Sequence, residues 1–592
     1  VEEIIPIRSS PGIKRDGTRF EGDQYVDGAW CRFQRGLPRK IGGYRAINKF
    51  AHGLPRTLNE FTQDRLTYIH MGSHDHIERF FIDTSFNTSL ITDRTPTSGF
   101  TSSLNNLWQF ATSYDTTDGN QLVAQVAPNL DCICNSLGGE IFTGDLLGTA
   151  ALVAVPALNK PANFSATGGV VSLAPYTLVF GNDGYVAWSV PNAPDNYVGS
   201  GAGNAYVTSQ KIVRGMPLRG GPGNSPSGLL WSADALIRAS FVGGTTPVFQ
   251  FDTISTQSSI LSAASVIEYD GVFFWAGVDR FLTFNGVVRE VENNLNINFF
   301  FDNLNVSQRQ KVFALKVPRF GEIWWCFPKG QSTEPDHAVI YNVRENTWYD
   351  TPLPNGGRGA GIFPTVFQKP IMTGVAPQAA TAVSAAVAAG GTGYTVGDVL
   401  TAVGGVFTIP VEVTVSTVSS GVVTGVSISN TGRYTTTPTN PVAFTGGAGN
   451  GATANVTFVN PYQTWVHEVG FDEVDGNIAR PVPSFFETSD ISLPVSSQMN
   501  RALHIAALEP DFVQQGDMTV QVVGRANARS PEILGAVMTF ADTPSTPQDQ
   551  IIYLKEQRRQ LRLRFESNAL GGDYQMGQIL AHVRPGDGTT VA

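Results

Sequence analysis

The feature that most constrains this chain is a unit repeated along its length: a strand-like run, a polar turn, then a second strand-like run, each anchored by aromatic residues. Leu66-Thr-Tyr-Ile-His70 and Ile77-Glu-Arg-Phe-Phe-Ile82 flank a Gly-Ser-His-Asp turn. Tyr176-Thr-Leu-Val-Phe180 and Tyr185-Val-Ala-Trp188 flank Gly-Asn-Asp-Gly. Gly271-Val-Phe-Phe-Trp-Ala-Gly277 leads to Phe281-Leu-Thr-Phe284 and an Asn285-Gly286 turn, and Glu322-Ile-Trp-Trp-Cys-Phe327 leads to Ala338-Val-Ile-Tyr341 and Trp348-Tyr349. Aromatic and β-branched residues suit a pleated surface, and Asn-Gly or Asp-Gly turns favour hairpins. Such a chain folds as serial hairpins. The clearest units lie roughly 50 to 100 residues apart, about one or two propeller blades of chain. The expectation is an all-β chain: a β-propeller with an inserted small Gly-rich β domain and a C-terminal β region. A flat sandwich is the competing arrangement.

Composition agrees. The 592 residues include 62 Gly and 35 Pro, and only 15% are charged. Helix signals are few. Asn305-Val-Ser-Gln308 resembles a capping box and predicts a short helix running through Phe313. The expected divisions are 1–60, an arm with the first strands; 61–376, the propeller scaffold; 377–459, an insert; and 460–592, a return to the scaffold with the C-terminal β region. The insert carries an internal repeat. Gly391-Thr-Gly-Tyr394-Thr395 recurs as Thr431-Gly-Arg-Tyr434-Thr435, and Val411-Glu-Val-Thr-Val415 as Ala454-Asn-Val-Thr-Phe458. This predicts a small β module with two similar halves, set in a loop where insertion is tolerated.

The formal net charge of −10 argues against a protein that coats DNA through a basic face. It does not exclude a wall past which DNA slides, because such a wall should repel phosphate rather than bind it. Four cysteines make no disulfide framework, which fits synthesis in a reducing cytoplasm. The N-terminus does not read as a signal peptide, and no apolar run is long enough to span a membrane.

Two basic groups stand out. Arg32, Arg35, Arg39 and Lys40 lie together with no acid between them, and Arg558, Arg559, Arg562 and Arg564 line a C-terminal strand. Arginine suits interface ion pairs, so both groups are candidates for docking on an acidic neighbouring subunit; solvated surface and phosphate contact are the alternatives. The run containing Gly215, Arg219, Gly220, Gly221 and Gly223 is a candidate channel or gate loop. It lacks the phosphate-loop pattern. His70, His74 and His76 with Asp75 read as a polar turn rather than a metal site. The acidic pairs Asp472 with Glu473 and Asp234 with Glu268 have no sequence reason to meet as glycosidase carboxylates. No catalytic residue and no cofactor is expected.

Three stretches carry a resemblance: Pro11-Gly-Ile-Lys-Arg-Asp-Gly-Thr18 through Asp27-Gly-Ala-Trp-Cys-Arg-Phe33 to Pro38-Arg-Lys-Ile-Gly-Gly-Tyr44; Ile254 through Trp324 to Trp348-Tyr349; and Arg564-Phe-Glu-Ser-Asn568 with Gly571-Gly-Asp-Tyr-Gln-Met-Gly577. Together they resemble the packaged-DNA stabilisation, or tail nozzle, proteins of short-tailed phages such as P22. The resemblance implies a virion tail protein forming a homohexameric ring below the portal and its adaptor. Such a ring lets genomic DNA pass without sequence recognition, and offers sites to a tail needle and to fibres or spikes. The insert departs from that pattern. The rival expectation is a carbohydrate-binding or depolymerising receptor protein, such as a tail spike or lectin-like propeller.

Overall fold

The computed structural model describes residues 2–586, apart from 20–21, 64–65, 84, 86–87, 89–90, 100, 105, 128–138, 219–225, 244–246, 492–501, 527–528 and 543–550. Its first part is a seven-bladed β-propeller. Six blades are consecutive four-stranded antiparallel meanders, whose inner strands are Pro55–Gln63, Leu107–Asp115, Gly169–Leu173, Ile212–Pro217, Ile267–Tyr269 and Phe313–Val317. The seventh blade starts at Arg358–Ile362 and continues through Ile371–Pro377 and Tyr462–His467. Its fourth strand, Tyr44–Ala51, comes from the other end of the chain and pairs antiparallel with Tyr462–His467.

The apolar cores prove the closure, because each lies between two neighbouring blades. Phe61 and Ile77 of blade one meet Trp108 and Leu122 of blade two. Leu178 and Phe180 of blade three meet Leu230 and Ile237 of blade four. Phe274 and Phe281 of blade five meet Ile323 and Trp325 of blade six. The series ends where Ile47, Ile371 and Val466 of blade seven pack on Leu58, Ile69 and Phe80 of blade one. Each blade thus buries both faces, and the aromatic residues of the hairpins fill the wedges between them. Tryptophan indoles also reach across. Trp108 Nε1 donates to Ser73 O at 2.7 Å, and Trp325 Nε1 to Ser265 O at 3.0 Å. Gly72 is required at the first of these joints, since a Cβ there would sit 2.7 Å from Trp108 Cβ.

Residues 484–586 form a β-sandwich, and the N-terminal residues are woven into it. Glu3–Ile7 and Leu37–Lys40 pair with the long strand Asp573–Pro585, while Asp27–Ala29 pairs with Ser484–Glu487. The expected boundary at 60 therefore falls inside the propeller, since Pro55–Gln63 is the inner strand of blade one, and the return to the scaffold expected from 460 is the blade-seven strand Tyr462–His467. The first forty residues are not a separate arm. Glu3–Ile7, Asp27–Ala29 and Leu37–Lys40 have partners more than 400 residues on, while Ser10–Ile13 pairs with Gln24–Tyr25 and Cys31–Gln34 with Leu37–Lys40.

The insert has its own core and sits between the second and third strands of blade seven. Its two halves are tied reciprocally. Val411 N–H donates to the Tyr434 hydroxyl at 3.0 Å, and Ala452 N–H donates to the Tyr394 hydroxyl at 3.3 Å. Both tyrosines are buried, so the repeated Tyr is the residue that satisfies a backbone donor of the opposite half. Tyr394→Phe and Tyr434→Phe each leave a buried N–H unpaired. Each is expected to lower the stability of the module by about 1–3 kcal/mol, measured by denaturant titration.

Helix is scarce. The expected helix after Asn305 is a 3-10 turn, Val306–Lys311, without a side-chain cap at Asn305. The described α-helix is Ile297–Asn303, and its first N–H groups at Asn298 and Phe299 donate to the Asp16 carboxylate. The cap comes from 280 residues away, which is why no local signal announced it.

His70 lies on a blade-one strand, fully buried, stacked on Phe61 at 4.9 Å, with both ring nitrogens lacking a partner. Burial, together with the charges of Arg94 and Arg79, holds its pKa well below the usual histidine value. His467 in blade seven is likewise held neutral by burial and by Arg358, whose Nε donates to its Nε2 at 3.2 Å. The unfolded chain takes up protons at these rings first. Stability from this source is therefore complete above about pH 6.5 and is lost as pH falls below it. His70→Phe is expected to reduce the loss seen in urea midpoints between pH ~7.5 and pH ~5, and to be no less stable at neutral pH.

Candidate functional site

The strongest concentration of charge lies at the joint between propeller and sandwich. Arg32, on the strand Cys31–Gln34, is 1% exposed and stacks over the Phe320 ring at 3.7 Å. Its guanidinium pairs with Glu322 of blade six at 2.9 Å and with Glu468, which follows blade seven. Glu322 is completely buried and also accepts from Tyr349 Oη at 2.7 Å and Trp324 Nε1 at 2.9 Å. Burial pushes the Glu322 carboxyl up, against the pull of Arg32. Beside it Trp30 meets Trp324 edge-on, at 6.3 Å between ring centroids.

A second network ties the N-terminal turn to blade six. Arg15 contacts Asp350 at 2.8 and 3.1 Å and Asp27 at 2.6 Å, and Asp350 faces His337 Nε2 at 3.1 Å. Burial opposes ionisation of Asp350, but Arg15 and His337 outweigh it and hold the carboxyl below its usual range.

These networks correct the docking assignment. Arg32, Lys40 and Arg562 are buried within the chain itself. Lys40 Nζ donates to Gly572 O at 2.7 Å, and burial lowers its pKa to about 8. Arg562 lies between Glu487 at 2.6 Å and Glu532 at 2.8 Å, with Asp490 at 3.9 Å. Arg564 pairs with Glu487 and Glu566 and covers the Phe485 ring at 3.6 Å. Arg558 pairs with Glu556. Arg39 donates to Gln34 at 2.7 Å, and Arg559 is half-buried. Arg35 is exposed, at a hairpin turn whose backbone N–H groups donate to Glu345. For Arg32, Arg562 and Arg564 the acidic neighbour is supplied by other segments of the same chain.

Of the candidate gate run, Gly215 lies on the inner strand of blade four, and Arg219, Gly220, Gly221 and Gly223 lie outside the described residues, as do Cys132 and Cys134. The suspected acidic pairs are engaged singly. Asp472 accepts the Gly571 N–H, Glu473 accepts the Tyr44 hydroxyl and pairs with Arg480, Asp234 accepts from Ser232, and Glu268 from Gly271. His74 and His76 flank Asp75 in the turn, while His70 is walled into the blade.

The feature that sequence reasoning missed is inside the propeller. The inner strands of blades one to four line an open cavity of about 610 Å³. Arg214, Asn59 and Ser227 line it, and Arg214 Nε, Asn59 Nδ2 and Ser227 Oγ are buried without hydrogen-bond partners. Among the described residues its lining contains no carboxylate. Arg214 retains some accessible surface because it faces this space, yet burial within the propeller lowers its pKa to about 10. Arg214 also lines a constriction of about 40 Å³ with Arg56, Gln310 and Lys311. There Glu334 serves both Arg56 and Lys311, the latter at 2.9 Å. A single arginine on a strand carries no sequence signal; only the ring places it on the axis.

No family model and no curated protein matches the sequence. Among solved structures, PorZ is similar over 55% of this chain and 36% of its own length, at 10% identity and a TM-score of 0.33. PorZ is described as an essential bacterial surface component of the type-IX secretion system of Porphyromonas gingivalis. The chain spans about a third of PorZ's length. Among the described residues, no helix is long and apolar enough to cross a membrane.

Proposed function

We propose that the chain is a tail nozzle subunit of a short-tailed phage: a non-enzymatic ring component that extends the DNA channel below portal and adaptor. One observation carries the reading. The three stretches that bear the resemblance, hundreds of residues apart, meet in one joint. Thr347 Oγ1 donates to Pro11 O at 3.0 Å, Arg32 pairs with Glu322, Lys40 reaches Gly572, and the Tyr25 hydroxyl lies 3.6 Å from Met576 Sδ. A resemblance spread over unrelated surfaces would carry less weight than one that maps to a single structural element.

Two further properties suit a ring subunit. The net charge of −10 disfavours trapping a passing polyanion. The sandwich also ends in an edge strand, Ile533–Phe540, that exposes Ile533, Leu534 and Val537. An exposed apolar edge invites pairing with another chain, and a head-to-tail ring would cover it.

The test is genetic and physical. Particles assembled without this chain are expected to package DNA and then lose it, and adding the purified chain should restore retention. Particles that keep their genome and fail only in adsorption would instead favour the carbohydrate-binding receptor reading.

A further inference from the structure

We propose that the propeller's central cavity is a binding site for a small anionic ligand, with Arg214 as the group that receives the negative charge. A largely buried cation without a counter-ion is unfavourable unless hydrogen bonds meet it. Elsewhere in this chain Arg32 and Arg562 have two acids or more apiece, while Arg94 and Arg358, which have no acid within ion-pair distance among the described residues, donate to backbone carbonyls instead. Arg214 has no carboxylate within ion-pair distance among the described residues.

Its surroundings are donors. Asn59 Nδ2 and Ser227 Oγ are unpartnered on the same cavity wall, from blades one and four. Gln109, at the adjoining constriction, donates its Nε2 to Gly168 O at 2.6 Å and Val213 O at 2.9 Å and keeps Oε1 as an unpartnered acceptor. At the adjoining constriction, Arg56, Lys311 and Arg214 bring three positive charges and Glu334 one negative, leaving two positive charges in excess. A space with low-dielectric walls focuses that field onto whatever enters. Unpartnered donors on Arg214, Asn59 and Ser227, a net positive constriction and no carboxylate among the described lining residues match an oxyanion: a phosphate or a carboxylate.

The rest of the wall sets the size and character of the ligand. Phe110, Val171, Leu173, Met216 and Leu218 provide apolar surface. The volume of about 610 Å³ falls in the range of small-molecule sites. The ligand class is therefore a small organic anion, such as an acidic sugar or a sugar phosphate, with its charged group at Arg214 and its body against the apolar wall.

Isothermal titration of the full chain with inorganic phosphate, glucose 6-phosphate and glucuronate, and with glucose as the uncharged control, tests this. At least one acidic probe is expected to bind with a dissociation constant of about 1 mM or tighter, and glucose is expected to be much weaker. The phosphate and glucuronate arms separate the two sources of charge. Arg214→Gln should weaken the bound probe by about tenfold or more, and Asn59→Leu should weaken it in a background that keeps the arginine. Arg214→Met should raise the melting midpoint of the ligand-free chain, because it removes an uncompensated cation, while abolishing the further rise that the probe gives the wild type. Absence of binding by all three acidic probes at about 10 mM would overturn the proposal. So would binding that both Arg214→Gln and Asn59→Leu leave unchanged, since the probe would then sit elsewhere.

Discussion

Replacing Arg32 with leucine is expected to destabilise the chain by about 3–5 kcal/mol, the usual cost of removing one partner from a buried ion pair. Glu322 would remain completely buried, with only the Tyr349 hydroxyl and the Trp324 indole to meet its charge. The loss carries a pH signature. Burial already pushes the Glu322 carboxyl up, and without Arg32 it rises further. A group whose folded pKa is raised favours the folded state at low pH and loses that contribution as pH rises through the folded value. The deficit of Arg32→Leu should therefore be largest near neutral pH and shrink on acidification. Denaturant titrations of wild type and variant at pH ~7.5 and ~5.5 measure it. Arg32→Leu combined with Glu322→Leu should recover much of the loss, because the pair leaves together. An equal deficit at both pH values would mean that lost packing on Phe320, not the stranded carboxylate, sets the cost.

The second large effect contrasts two deletions. Removing residues 1–51 takes the closing strand from blade seven and several strands from the sandwich. Ile7, Ile13, Tyr25, Trp30, Phe33, Ile41, Tyr44 and Ile47 are all buried. At about 1.5–3 kcal/mol each, their burial contributes roughly 12–24 kcal/mol. That matches or exceeds the net stability of about 5–15 kcal/mol typical of a folded chain. The truncated chain is expected to be insoluble. Removing residues 379–460 should do little to the remainder. The insert leaves and re-enters at one point, where Gln378 N–H donates to Pro461 O at 2.8 Å, and Pro377 already pairs with Tyr462. A two-residue Asn-Gly turn can close that gap. Soluble yield and circular dichroism of the two deletions distinguish them. A soluble, folded 52–592 chain would refute the role assigned to the N-terminal strands.

The hairpins were legible because a hairpin is local: Tyr176–Phe180 and Tyr185–Trp188 carry their own aromatic residues and their own turn, and they pair as the spacing predicts. The insert was legible for the same reason, since its repeated Tyr marks equivalent positions forty residues apart. Ring closure was not legible. Nothing in Tyr44–Ala51 names Tyr462–His467 as its partner, and strands select partners by tertiary packing rather than by composition. The basic clusters misled for a related reason. Arg32 has no acid nearby in sequence, but Glu322 arrives from 290 residues away. Arg562 was a candidate for docking on an acidic neighbour, and acids on neighbouring segments of its own chain meet it instead. The axial cavity exists only when four blades stand side by side, so Asn59, Arg214 and Ser227 were indistinguishable from ordinary strand and loop residues.

The central functional claim is positional, and electron microscopy of particles carrying a tag at the Ser420-Gly421 turn of the insert tests it most directly. The nozzle account predicts tag density repeated around the tail axis just below portal and adaptor, with the symmetry of the ring. Density confined to fibre or spike tips, or absent from the particles, would contradict it.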